Sequence, residues 1–249
     1  MTRAETATAP RSVEAPVTVM QRVELKYMLK REQLSLLYTA MAGHMEADQF
    51  GLTTIASLYY DTPDRRLIRA SLEKPAFKEK IRLRSYGRAT ESSPVFLELK
   101  RKALGTVYKR RLQTTLPEAA CFFRGELPQI EDSQIGRELT AFRTHYQSLE
   151  PSCLIFYDRT AYVESEGSLR LTIDKNSRYR MDNLDLTRSN EGSALLPEGW
   201  AILELKVQDA MPLWLSHALS EAGIYKTSFS KYGEAYRREA QTPPLRSAC

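Results

Sequence analysis

Three short stretches carry an acid and a base two residues apart: Glu24 and Lys26 in VELKY, Glu98 and Lys100 in FLELK, Glu204 and Lys206 in ILELK. On a β-strand, residues two apart share a face. Each pair therefore sits together, with apolar residues on the opposite side. The same period groups cations in other strand-like runs. Arg82 and Arg84 share a face in KIRLRSY, and Lys109 and Arg111 do so with Val107 in TVYKRRL. Arg170 joins Thr172 and Asp174 in LRLTID, and YDRTAY contributes Arg159. Lysine and arginine bind phosphate oxygens, and carboxylates bind hard divalent cations. Side by side, they suit chemistry on a phosphorylated substrate.

Those side chains need strands, and the rest of the chain supplies them. From Val19, VMQRVELKYML alternates as a strand, and KREQLSLLYTAMAGHM then brings Leu34, Leu37, Tyr38 and Met41 at helical spacing. TTIASLYYDTPD is a strand stopped by its Asp-Thr-Pro-Asp turn, and RRLIRASLE is a short helix. KEKIRLRSYG, PVFLELKRKA and GTVYKRRLQTTL read as a meander, turning at Gly87 with ATESSP and again at Leu104-Gly105. PEAACFFRGE and SQIGRELTAFRTHYQSL are helical, the second ended by Pro151. Strands resume in SCLIFYDRTAYVE, LRLTIDKNSRYR and WAILELKV. MPLWLSHALSEAGI and SFSKYGEAYRREA close the chain as helices, with Ser228 or Ser230 as N-cap of the last. About eight strands without β-α-β alternation predict an antiparallel α+β arrangement. Residues 19–240 read as one domain, after a disordered segment 1–18 and before a loose tail 241–249.

One wet face is ordinary in an antiparallel sheet. Here, helices between the strands would cover the apolar faces from outside, so the charged faces must meet each other or open water. Their cations oppose few acids: Glu24, Glu98, Asp174 and Glu204. If the sheet curls into a barrel, an interior of about eight strands admits side chains or one small ligand. Unpaired cations in such a lumen cost several kcal/mol each, which implies a bound polyanion. The acids suggest a divalent metal shared between carboxylate and phosphate oxygens. The expectation is an eight-stranded antiparallel β-barrel tunnel, with helices outside and at its ends, for triphosphate or polyphosphate with Mn²⁺ or Mg²⁺.

Other classes find little support. Lys and Arg number 36 against 31 Asp and Glu, a net charge of +5 that leaves a polyanionic partner open. Cys121, Cys153 and Cys249 are scattered, so neither a disulfide framework nor a zinc site is suggested, and a reducing cytoplasm is expected. The first twenty residues lack a signal peptide's apolar core, and no stretch approaches the ~18 apolar residues of a membrane span. There is no G-x-x-x-x-G-K-[ST] loop and no G-x-G-x-x-G. His44, His145 and His217 are isolated on helical stretches, while Trp200 and Trp214 read as packing residues. Nucleic-acid binding would favour exposed basic residues interleaved with aromatics, whereas this pattern buries the cations. Tyr59 and Tyr60 read as core or rim aromatics, and Tyr60 and Asp61 could touch a nucleotide.

These stretches resemble the triphosphate tunnel metalloenzymes. More narrowly, they are similar to the catalytic domain of the vacuolar transporter chaperone family, which makes polyphosphate from ATP. VELKYML, SLYYDTPD, KIRLRSYG, FLELKRK, VYKRRL, YDRTAY, LRLTIDKN, ILELKV and SFSKYGEAY carry the resemblance, in order, over nearly the whole chain. It implies that Lys26, Arg82, Arg84, Lys100, Lys109, Arg159, Arg170, Lys206, Ser230 and Lys231 bind phosphates and that Glu204 holds the metal. The broader family opens with Glu-x-Glu-x-Lys. Here the first position is Arg22, as in the polyphosphate-making branch.

The function expected is transfer of the ATP γ-phosphate to a growing polyphosphate chain. Lys26, Arg82, Arg84 and Arg159 hold the triphosphate. Lys100, Lys109, Lys206 and Lys231 hold the chain, with Arg111, Arg170 and Ser230 as further phosphate contacts. Glu204 is the metal ligand, with Glu24 and Glu98 as the other candidates. No nucleic acid and no membrane segment are expected. A triphosphatase of the same fold and a non-catalytic polyphosphate-binding module remain open as alternatives.

Overall fold

A computed structural model describes residues 23–73, 75–104, 106–164, 169–208 and 210–241. Eight long strands are present: β1 (Val23–Leu29), β3 (Thr53–Asp61), β4 (Phe77–Tyr86), β5 (Val95–Ala103), β6 (Thr106–Thr114), β7 (Glu150–Glu164), β8 (Leu169–Arg180) and β10 (Ala201–Val207). They form one antiparallel sheet in the order β1-β10-β8-β7-β3-β4-β5-β6. Two short strands, β2 (Met45–Ala47) and β9 (Ser193–Ala194), flank β7 and β8. They are too short for alternation to reveal them. The sheet curls through 210° as a half-barrel, the expected tunnel-like α+β fold.

Alternation fixes what lies on each side. Outside, α1 (Arg31–Met41) and α5 (Leu213–Glu221) cover the half of the sheet built from β1, β10 and β8. Leu34, Leu37, Met41, Leu215 and Leu219 there meet Tyr27, Leu29, Leu171, Ile173, Leu203 and Leu205. Helices α3 (Leu116–Arg124) and α4 (Gln134–Tyr146) cover the other half. Phe122, Leu139 and Phe142 pack there against Leu58, Leu83, Leu97, Leu99 and Leu112. Burying such side chains stabilises by about 1.5–3 kcal/mol each. Both helices start at the expected kind of residue: Glu118 N donates to Thr115 Oγ1, and Gly136 N donates to Ser133 Oγ.

A third cluster forms on the concave side. Ile55, Tyr59, Ile155 and Tyr157 point inward and are met by Ile68 of α2 (Arg66–Leu72) and Tyr232 and Ala235 of α6 (Lys231–Gln241). These two helices pack against the concave side of β3 and β7 and against each other. Gly233 lets them approach: a Cβ there would lie 3.0 Å from Leu72 Cδ2. Of the two N-cap candidates, Ser230 is the one used, accepting from Gly233 N at 3.2 Å. The expected segment 1–18 and residues 242–249 of the tail lie outside the described residues, as do residues 19–22 of the first strand reading, while Gln241 ends α6. Among the described residues, no helix is long and apolar enough to cross a membrane.

Candidate active site

Register sets the site. In β4, β5 and β6 one row across the concave face reads Arg82, Glu98, Arg111, and the next reads Lys80, Lys100, Lys109. On the other side of the curl, Glu24 lies opposite Lys206, Lys26 opposite Glu204, and Arg159 opposite Asp174. Every predicted site residue on a strand thus falls on the concave face. Ser230 and Lys231 join them from the start of α6.

Sequence reading expected poorly matched cations, but the acids are shared. Glu98 is the clearest case, with a side chain only 2% exposed. Its Oε2 accepts from Arg82 and lies 3.6 Å from Arg84; its Oε1 lies 2.9 Å from Lys109 and 3.8 Å from Arg111. Burial alone would raise the Glu98 pKa, but Arg82, Arg84 and Lys109 overcome it and hold the carboxyl at about 2. Asp174, 1% exposed, accepts from Arg159 at 2.6 and 2.8 Å and from Lys231 at 2.6 Å. Against its burial, Lys231 and Arg159 likewise hold it at about 2. This pair of contacts ties α6 to β7 and β8.

The edge strands bring the two halves together. Lys26 Nζ lies 3.5 Å from Glu24 and 3.6 Å from Glu204. Lys100 of β5 reaches Glu24 of β1 at 3.9 Å, although these strands stand near opposite ends of the sheet order. Burial pulls the Lys26 pKa down, yet Glu204 and Glu24 leave it raised. Lys206 lies 3.9 Å from Glu204. Burial raises the pKa of Glu204, and Lys26, Arg159 and Lys206 outweigh it and lower it. Arg170 lies further out, half exposed, and pairs with Asp48 in the loop after β2 at 3.3 Å.

Glu24 and Glu204 therefore converge on one position, which Lys26 shares. A hard divalent cation bound by one or two carboxylates and completed by substrate phosphate oxygens fits that donor set. Among the described residues, no group of three or more His, Cys, Asp or Glu forms a protein-only cage. Glu98 is different in kind, because cations surround both of its oxygens.

Two inward side chains, Tyr157 and Lys80, were missed by sequence reasoning, and a third, Tyr59, was read as a core or rim aromatic. Tyr59 Oη accepts from Arg82 Nη1 at 2.9 Å, and Tyr157 Oη accepts from Arg84 Nη2 at 3.4 Å. Lys80 shares the period of Arg82 and Arg84 and donates to Ser230 Oγ at 2.9 Å. That period was the available signal. Tyr60 turns outward, stacked on Phe123 with centroids 3.6 Å apart. Asp61 is buried, accepting from Leu67 N, Ile68 N and Tyr232 Oη. Neither reaches a nucleotide from the channel; they serve packing and the start of α2.

A curled antiparallel sheet with a basic, carboxylate-threaded concave face defines a protein of the triphosphate tunnel fold class. The chain belongs to the VTC domain family, whose pattern matches residues 21–239. Among solved structures, it is similar to a candidate adenylate cyclase from Bacillus halodurans, with 12% identity and a TM-score of 0.52 over 84% of this chain and 93% of that one. It is also similar to a candidate adenylyl cyclase from Hippeastrum described as having dominant triphosphatase activity, with 18% identity and a TM-score of 0.50 over 91% of this chain and 99% of that one. At these identities the likeness is one of fold. No curated protein matches the chain.

Proposed function

We propose that the protein is a metal-dependent polyphosphate polymerase that transfers the γ-phosphate of ATP to the end of a growing inorganic polyphosphate chain. The observation that carries this reading is the convergence of Arg82, Arg84, Lys109 and Arg111 on the single carboxylate of Glu98. Cations held in place before the substrate arrives need little reorganisation as charge moves in the transition state. The basic face also continues beyond that cluster, through Lys26 and Lys206 to Arg159 and Lys231. A face this long suits two phosphorylated partners, a donor and an acceptor.

Phosphoryl transfer asks the protein for alignment and charge neutralisation rather than covalent chemistry. In this reading Arg82, Arg84, Lys26 and Arg159 hold the triphosphate. Lys100, Lys109, Arg111, Arg170, Lys206, Ser230 and Lys231 hold the acceptor chain. A terminal oxygen of that chain forms the new P–O bond as the bond from the γ-phosphorus to the β–γ bridging oxygen breaks, and ADP leaves. Glu204, with Glu24 beside it, would hold Mn²⁺ or Mg²⁺, which when bound supplies Lewis-acid stabilisation of phosphate oxygens. Tyr59 and Tyr157 fix the two arginines from below, and Glu98 fixes them from the side.

A triphosphatase is the second reading, favoured by the dominant triphosphatase activity described for the Hippeastrum neighbour. Incubation of the purified protein with ATP and Mn²⁺, resolved on a gel stained for polyphosphate, separates the readings. ADP with a ladder supports the polymerase. Phosphate release without a ladder supports the hydrolase, and no turnover supports a binding module.

A further inference from the structure

Lys80 stands apart from the cations described so far. It is half-buried, and among the described residues no carboxylate lies within 4.0 Å of its Nζ. Its row across the sheet is a run of like charges, with Lys100 beside it and Lys109 beyond. Like charges directly opposite on neighbouring strands are destabilising. Lys109 is answered by Glu98 and Lys100 by Glu24, while Lys80 donates to the Ser230 hydroxyl.

Among the described residues, the charges that act on it most strongly are cations. Lys78 and Arg82 flank it on β4, Lys100 faces it from β5, and Lys26 adds positive charge from β1. From α6, Tyr232 presents its ring 5.9 Å from Nζ, and the Lys231 ammonium is turned to Asp174. On β3, the Tyr59 hydroxyl is engaged by Arg82. The Asp61 carboxylate there is taken up by the first amides of α2 and by Tyr232.

We propose that Lys80, together with the Ser230 hydroxyl it touches, is a further phosphate-binding residue where α6 meets the concave face. The proposal rests on reading the concave face as a polyanion site. A phosphate oxygen there would supply the counter-charge that the fold withholds. Burial first, then Lys78, Lys100, Lys26 and Arg82, push the Lys80 pKa down to about 7 in the empty protein. An adjacent phosphate raises it again. Binding above pH 7 therefore draws a proton onto Lys80, and its contribution to affinity is complete below pH 7 and declines as pH rises.

The test is calorimetric titration of the full chain with tripolyphosphate at pH 8, in two buffers of different ionisation enthalpy. Wild type, Lys80→Arg, Lys80→Met and, as a control for loss of one outer charge, Arg137→Met are compared. Lys80→Arg stays charged throughout. At pH 8 it should bind at least as tightly as wild type, and up to about tenfold more so, while taking up fewer protons, by as much as about one per ligand. Lys80→Met, compared at pH 6.5, should bind about tenfold or more weakly, with Arg137→Met unchanged. Equal proton uptake by wild type and Lys80→Arg would overturn the role of Lys80 while leaving the polyanion site standing. No binding by wild type would overturn the polyanion reading itself, and this inference with it. If Lys80→Met does not fold, the proton count of Lys80→Arg decides.

Discussion

Arg82 donates twice to one oxygen of Glu98 on the neighbouring strand, from Nε at 2.9 Å and from Nη2 at 2.7 Å. The acid of the FLELK stretch is thereby an organiser of cations rather than an open ligand. Replacing it with Gln leaves Arg82, Arg84, Lys109 and Arg111 facing each other without their shared anion. Glu98→Gln should lower stability by about 3–5 kcal/mol. Because a polyanion can stand in for the lost charge, tripolyphosphate should raise the melting temperature more in Glu98→Gln than in wild type. An equal shift in both would contradict the organising role.

The two deeply buried acids set an acid limit on the fold. Glu98 and Asp174 are both held at about 2, below the roughly 4 of an unfolded carboxylate. The stability they give is in place above pH 4 and is lost as pH falls toward 2. Urea unfolding between pH 5 and pH 2 should show this decline in wild type. Asp174→Asn should be less stable at pH 5 and decline less steeply. Parallel curves for the two proteins would show that Arg159 and Lys231 do not hold the Asp174 carboxyl below its unfolded value.

Mutual repulsion across the concave face predicts that the empty protein gains from a polyanion. Tripolyphosphate should raise the melting temperature with rising concentration, as mass action requires. Added salt should weaken the shift only in part, since enclosed charges are screened less than exposed ones. A shift abolished by moderate salt would place binding on the outer surface.

Glu204 and Lys206 share a face of β10 yet should fail differently. Glu204→Gln keeps the shape but removes a carboxylate that fits a divalent cation, so turnover should fall by orders of magnitude while polyphosphate binding survives or tightens. Lys206→Ala should weaken polyphosphate binding directly. Steady-state turnover and direct binding measurements on both variants check this. Near-full activity of Glu204→Gln at saturating Mn²⁺ would move the metal assignment to Glu24.

The two-residue period made the long strands and their inward residues legible, because each strand has an apolar side covered by a helix. What the period could not give was the pairing. The three Glu-x-Lys stretches look alike in sequence, yet cross-strand register surrounds Glu98 with cations and sets Glu24 and Glu204 on either side of Lys26. The bulges at Tyr59/Tyr60 and Phe156/Asp158 shift register without any mark in the residue types. Arg170's partner, Asp48, lies in a loop far away in sequence. Lys80 opens the KIRLRSY run and shares the period of Arg82 and Arg84, yet it was not counted with them, and Ser230 reaches it only because α6 enters the concave side.

Phosphorus NMR of ATP incubated with the protein and Mg²⁺ follows donor and product in one spectrum. As the γ-phosphate signal declines, signals of chain-internal phosphates should grow in step with ADP, and Glu204→Gln should show neither change. Orthophosphate as the sole new phosphorus signal beside ADP, or an unchanged spectrum with wild-type protein, would contradict polyphosphate synthesis.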